Sequence, residues 1–395
     1  MARSLIASDG RSSAAKRRRR RFCGWVSQPA RPERAAPGGK PIDPRIRRVR
    51  CNGVNLLGNA EIRKILLIKW SALGDVALAT AAFEDIVRAF PDREVHLNTL
   101  PPWQQLFQHD PRFAKVFAFD LRGQESLLGG SRRWLTEVAA ESYDAVFDLQ
   151  TTDRSRLLLS ALWVKGAPIR YRVGNKRGFP YNIAPAQPPP VRHALAIARA
   201  NLAAAGIPCI TEVPVLHYAS EHRAHAQALQ HEHKLVPGQY AIFLPGSQAA
   251  GYLKRWGAKR YADLARELFA AGLKKIAVIG GPDEIEECAA LAADGGPDIV
   301  NLCGKTSILE IVPLAEGARF IVGNDTGTAH VAAAANRPMF IICGPTDPAR
   351  VKPAGPNVET LQADLPCINC YRKTCSHHSC MAAITPEQVV SRLQL

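Results

Sequence analysis

Short apolar runs of strand length alternate with helix-length stretches along most of this chain, in two successive series. The runs are apolar throughout rather than at every second residue, so each strand is covered on both faces. That is the mark of a parallel sheet with helices packed on both sides. In the first series strands are expected at residues 64–69, 94–97, 115–119, 144–149 and 169–173, and helices at 75–90, 154–164 and 192–205. Gln187-Pro188-Pro189-Pro190 interrupts this series, and the polar, His-rich segment 208–238 reads as a connection with some helix of its own. The second series places strands at 240–244, 275–279, 298–302, 320–322 and 339–342, with helices at 258–271, 282–293, 307–316 and 327–335. The chain therefore reads as two Rossmann-like, doubly wound α/β domains facing a cleft, residues 61–215 and 216–395, after an extension of residues 1–60. Ligands of such sheets bind beyond the carboxyl ends of the strands.

A length of 395 residues exceeds one ordinary core and agrees with two domains. The longest apolar runs are strand-sized, far short of a membrane span. The net charge of +16 is unevenly placed: residues 1–50 hold 15 Lys or Arg against 3 Asp or Glu, which leaves only +4 for the rest. That segment, with Lys16 followed by Arg17 to Arg21, cannot bury enough apolar surface to fold and is expected to be disordered. Nucleic acid and anionic lipid both suit such a charge run. A third reading is an over-extended start of the reading frame, which requires a non-Met start codon because the next Met is Met339. No apolar stretch follows the arginines, so the segment is not an export signal. The ten cysteines then imply a reducing, cytoplasmic setting.

Several strand ends carry chemistry. After the strand at 320–322 comes Gly323-Asn324-Asp325-Thr326-Gly327-Thr328-Ala329-His330, a polar turn that opens a helix. Free backbone amides, Thr326 and Gly327 suit a phosphate there, with His330 over the same first turn. Asp325 repels phosphate and suits hydroxyls instead, so a nucleotide sugar satisfies both demands; a plain capped helix start is the competing reading. Trp70-Ser71-Ala72-Leu73-Gly74-Asp75 ends the first strand. Asp75 is either a helix cap or a general base for an acceptor hydroxyl, with Gly74 permitting close approach. Pro245-Gly246-Ser247 follows another strand end, and Lys254, in the same loop, suits a diphosphate. Asp283 and Glu284 open a helix after Gly280-Gly281, where a carboxylate can hold ribose hydroxyls. Gly304-Lys305-Thr306 imitates a P-loop but lacks the preceding glycine, since position 299 is Ile299. Cys367, Cys370, Cys375 and Cys380 read as a structural zinc site, as free thiols or as disulfides.

Taken in order, these motifs resemble glycosyltransferase family 9, the ADP-heptose:lipopolysaccharide heptosyltransferases. The resemblance runs from about Arg63 to the C-terminus. It rests on Lys69 to Asp75, Asp148-Leu149-Gln150 with Arg154-Ser155, Lys254-x-Trp256, Gly304-Lys305-Thr306-Ser307 and Asn324-Asp325-Thr326-Gly327-x-x-His330. It implies a GT-B fold, with acceptor binding in the first domain, and inverting sugar transfer without a metal or other cofactor. It also implies work at the inner face of the bacterial inner membrane, in peripheral contact with an anionic surface, on a lipid-linked or lipopolysaccharide-core acceptor. No specific nucleic acid is expected. By motif, Asp75 is the base and Lys254 the stabiliser of the leaving diphosphate. Ser247, Glu284, Asp325, Thr326, Gly327 and His330 bind the donor, and Gly74 and Arg154 the acceptor. Two departures bear on substrate identity: residues 247–253 lack the family's Thr-rich loop, and Gln150-Thr151-Thr152 stands where Gln-Gly is frequent. The alternatives are another nucleotide sugar with another acceptor, and a nucleotide-sugar-binding protein without activity.

Overall fold

The computed structural model describes residues 54–120, 127–167, 169–247 and 249–393. Residues 1–53, which carry most of the segment expected to be disordered, lie outside the described residues.

Two parallel sheets organise the rest. The first contains β1 (Lys64–Ile68), β2 (Glu94–Thr99), β3 (Lys115–Ala118), β4 (Ala145–Asp148) and β5 (Tyr171–Val173), in the spatial order β3-β2-β1-β4-β5. The second contains β6 (Tyr240–Leu244), β7 (Lys275–Val278), β8 (Ile299–Asn301), β9 (Ile321–Asn324), β10 (Met339–Cys343) and β11 (Val358–Gln362), in the order β11-β10-β9-β6-β7-β8. Central strands are apolar on both faces for the reason expected: Ile65, Leu66, Leu67 and Ile68 of β1 and every residue of β6 are fully buried. Register follows, with Leu67 level with Leu97 and Phe147, and Ile321 level with Ile242 and Met339.

Two of the elements not expected are instructive. β11 reads Val-Glu-Thr-Leu-Gln on a sheet edge with only Val358 buried, so it lacks the apolar signature of its neighbours. The helix Leu127–Ala140 contains Gly129 and Gly130, which count against a helix. Tertiary packing overrides them, because Trp134 and Val138, one turn apart, are both buried.

The helix Leu73–Ala89 joins the two halves. Its small buried residues, Ala77, Ala79, Ala81 and Ala82, allow close packing against the helices Ala194–Ala204 and Gly327–Ala332, the latter following β9. The connection between the halves is tied to its back. Thr80 Oγ1 accepts from the Val215 amide at 2.9 Å, and Asp85 Oδ1 from the Thr211 amide at 3.0 Å and hydroxyl at 2.7 Å. One apolar cluster consequently runs from Leu67 and Phe83 through to Leu244 and Ile321. Among the described residues no helix is long and apolar enough to cross a membrane.

Strand order reverses between β1 and β4 in one sheet and between β6 and β9 in the other. Each reversal leaves a crevice at the carboxyl ends of those strands.

Candidate active site

A cavity of about 760 Å³ opens where the loop after β1 meets the loops after β6, β7 and β9. Gly74, Asp75, Ser247, Lys254, Glu284, Asp325, Thr326, Gly327 and His330 all line it. Arg154 does not; it lies exposed on the helix Asp153–Val164.

On the first sheet's side, the loop leading to Asp75 is held across the strand reversal. Gln150 Oε1 accepts from the amides of Trp70 at 2.8 Å and Ser71 at 3.2 Å. The Trp70 indole donates to Asn98 Oδ1, which also accepts from Trp134, both at 2.8 Å. Gln150 sits on a turn fixed by Asp148, whose Oδ1 accepts from the amides of Gln150 and Thr151 at 3.0 Å. The Tyr181 hydroxyl donates to the other Asp148 oxygen. Burial pushes the Asp148 carboxyl above its usual range. The Asp148-Leu149-Gln150 motif thus holds the loop in place. Beneath it Lys69 is buried and donates to the Leu149 carbonyl at 3.3 Å. Burial draws its pKa down while Asp75 and Asp148 favour its charge. Asp75 itself is exposed, in the first helical turn.

On the second sheet's side, Lys254 Nζ lies 2.8 Å from Asp325 Oδ2, which also accepts from the Thr346 hydroxyl at 3.0 Å. The pair straddles the crevice between β6 and β9. Asn324 joins those strands, accepting from the Tyr261 hydroxyl at 3.1 Å and donating to the Pro245 carbonyl. Trp256 anchors the Lys254 loop through its indole, which donates to the Ile384 carbonyl at 2.9 Å. Ser247 spends its hydroxyl on the Gly251 carbonyl at 2.7 Å, so it shapes that loop. Glu284 is buried, and its carboxylate accepts from the Gly281 amide at 2.7 Å. Burial raises its pKa against the opposing hydrogen bond and Arg255. A Cβ on Gly246 would fall 2.0 Å from the Glu284 carboxyl carbon, which explains the glycine. Thr326 precedes the helix Gly327–Ala332 in extended conformation, and its own side chain makes no capping hydrogen bond to the first turn.

His330 fits between the halves. A Cβ on Gly74 would stand 2.7 Å from its ring, and one on Gly327 3.0 Å from the Leu73 side chain. The two helix starts interlock because each offers a glycine. Gly74→Ala is expected to displace the His330 ring and to cost about 1–3 kcal/mol of stability by overpacking, measured by denaturant unfolding; an unchanged midpoint would show that the ring yields freely. Burial pulls the His330 pKa down to about 4, against Asp325 and Asp75, so the ring is neutral at pH 7. A folded value below the ordinary 6.5 means stability that is intact above pH 6.5 and lost as pH falls towards 4. His330→Asn should therefore show a shallower loss of Tm across that interval than the parent chain, and equal slopes would count against the buried neutral ring.

Other lining residues escaped the sequence reading, notably Arg350, His222 and Trp103. Arg350 belongs to a short helix capped by the Asp347 side chain, and Asp347-Pro348 was the available signal. Cys367, Cys370, Cys375 and Cys380 form no disulfide and lie outside the cavity lining. The convergent metal-ligand group among the described residues is Glu94, His96 and Glu141, spanned by Lys64 and Lys115 at the amino ends of β1 to β3. The cysteine sulfurs are spread more widely than that group, though Cys367, Cys370 and Cys375 all stand close enough to Cys380 to raise its thiol, chiefly raised by burial.

Comparison with known proteins gives three results. The family model described as glycosyltransferase family 9 (heptosyltransferase) matches residues 132–381. Lipooligosaccharide heptosyltransferase 2 of Haemophilus influenzae is 27% identical over 83% of this chain and 98% of its own length. Among solved structures, a family 9 glycosyl transferase of Veillonella parvula superposes with a TM-score of 0.69 at 22% identity, covering 83% of this chain and 95% of that one. The ADP-heptose lps heptosyltransferase II of Escherichia coli gives 0.64 at 23%, covering 84% and 97%. These last two share the fold, two parallel-sheet domains of the GT-B type.

Proposed function

Given that the chain belongs to glycosyltransferase family 9, we propose that it transfers a heptose from ADP-heptose to a lipopolysaccharide-core acceptor. The observation that carries this reading is that Asp75, from the first sheet, and the Lys254–Asp325 pair, from the second, line one cavity, each at a strand reversal. Asp75 takes the proton of the acceptor hydroxyl as that oxygen attacks the anomeric carbon. The bond to the diphosphate breaks on the far side, which gives inversion in one displacement. Charge develops on the leaving oxygen, and Lys254 and the first-turn amides after Thr326 are already oriented to meet it. Gly327, its side-chain space taken by Leu73, offers the phosphates its backbone amide, and His330, as a neutral ring, contacts sugar or diphosphate. Glu284 receives the ribose hydroxyls, and Ser247 orders the donor loop. Asp325, held by Lys254, is oriented towards sugar hydroxyls. Gly74, packed on the His330 ring, lines the acceptor's side of the cavity, and Arg154, outside the cavity lining, meets anionic groups of a long acceptor. With these cations in place the transfer uses no metal. The setting is the cytoplasmic face of the inner membrane.

The test is ADP release from ADP-heptose by the full chain, with and without a deacylated core acceptor. Acceptor-dependent release is expected, and proton NMR of the product should show the inverted anomeric linkage. A protein that binds ADP-heptose yet releases nothing with any core acceptor would overturn the acceptor assignment; failure to bind would overturn the donor.

A further inference from the structure

We propose that the flank of the first sheet formed by the helix Asp153–Val164 and the loop 175–179 docks onto an anionic phospholipid membrane. The helix is apolar on two sides. Leu158, Leu159 and Leu162 face the core, yet Leu157 and Val164, two turns apart on the outer side, are 68% and 82% exposed. A surface helix of a globular domain ordinarily keeps that side polar. Trp163 and Phe179, also exposed, extend the stripe as an edge-to-face pair with ring centroids 6.0 Å apart.

This pair is held in place from behind. The Arg172 guanidinium lies 4.4 Å from the centre of the Trp163 ring and donates to the Ile169 and Pro180 carbonyls. Arg156 donates to the Phe179 carbonyl through Nε at 3.0 Å and Nη2 at 2.6 Å. Buried Arg172 and half-buried Arg156 thus hold two half-exposed aromatic residues in place, an arrangement that a folded chain gains nothing from unless the rings are covered.

Charge complementarity selects the cover. Residues 153–180 contain seven Lys or Arg and one acidic residue, Asp153. Lys165, Arg170, Lys176 and Arg177 are exposed around the aromatic pair. Asp153 and Glu61 meet Lys176 and Arg170 in solvent-exposed pairs at 3.4 and 2.8 Å, which neutralise little. Apolar and aromatic side chains rimmed by cations suit an anionic bilayer surface, with the rings at headgroup depth and the cations on lipid phosphates. A second copy of this face would set the same positive charge against itself. The helix starts at the carboxyl end of β4, so the stripe leads from the cavity-bearing edge down the flank. The docking rests on the transferase reading only for its purpose, delivery of a lipid-anchored acceptor.

The experiment is vesicle flotation of the full chain, comparing the parent with Leu157→Glu/Val164→Glu on phosphatidylglycerol-containing and pure phosphatidylcholine vesicles at near-physiological salt. The basic segment 1–50 is common to both proteins, so the difference between them reads this face. We expect at least a tenfold loss of binding to anionic vesicles, with transfer to a soluble deacylated acceptor unchanged. Trp163→Phe guards against misfolding: it should keep vesicle binding and lose part of the tryptophan quenching by lipids brominated in the acyl chain. Equal binding by parent and double variant would overturn the proposal. So would a parent dimer in sedimentation velocity that the double variant abolishes while vesicle binding persists. Flotation and sedimentation need no ADP-heptose, so failure of docking and failure of the transferase reading are separable.

Discussion

Asp75→Asn is expected to bind ADP-heptose as the parent chain does and to lose between a hundred- and ten-thousandfold in kcat, roughly the range of a positioned general base. The side chain is nearly isosteric, so its helical turn and the packing of Gly74 on His330 are retained. What disappears is the acceptor for the hydroxyl proton. The loss should fall on kcat, with KM for the donor little changed, because Asp75 follows β1 whereas the Lys254–Asp325 pair follows β6 and β9 of the other sheet. Steady-state kinetics with isothermal titration of ADP-heptose separates the two. A variant that keeps a tenth of the parent rate would remove Asp75 from the base role and leave it as a first-turn acid of the helix Leu73–Ala89.

Lys254→Met should lower kcat by about a hundred- to thousandfold, the usual consequence of deleting one preoriented charge at a site of developing negative charge. It also has a structural side. Asp325 is buried while Lys254 keeps 31% of its side chain in solvent, so the variant strands a carboxylate. A fully buried pair broken in this way costs about 3–5 kcal/mol; the solvent around Lys254 lowers that to on the order of 1–3 kcal/mol. Lys254→Met/Asp325→Asn distinguishes the two effects, because it removes the stranded charge. Its Tm should return towards the parent value while kcat stays low. Recovery of both would make Lys254 a partner of Asp325 and nothing more.

Much of this was legible in the chain because central parallel strands announce themselves. β1 and β6 are apolar on both faces, and the polar turns after them are then marked as ligand sites by strand direction alone. β11 and the helix Leu127–Ala140 were illegible for opposite reasons: an edge strand needs few apolar residues, and Trp134 supplies by packing what Gly129 and Gly130 take from propensity. At the site, residue types were readable but partners were not. Ser247 looked like a donor contact, and its hydroxyl is turned onto the Gly251 carbonyl. Asp325 looked available for hydroxyls, and one of its oxygens is already shared by Lys254 and Thr346. Such pairings join loops from different strands, and no local pattern encodes them. Arg350 and Trp103 reach the cavity in the same way.

The glycine-to-helix contact of Gly74 with His330 and of Gly327 with Leu73 also governs how the enzyme can move. It is the rivet of a pair of scissors. When two rigid arms turn about a rivet, displacement grows with distance from it, so the blades part widely while the metal beside the rivet barely shifts. Asp75 and Thr326 each adjoin one of those glycines, so a rotation of the halves about this contact would alter the distance between the proposed base and the proposed phosphate site least. A bulky acceptor would then gain room at the far ends while the spacing of Asp75 and Thr326 stayed set.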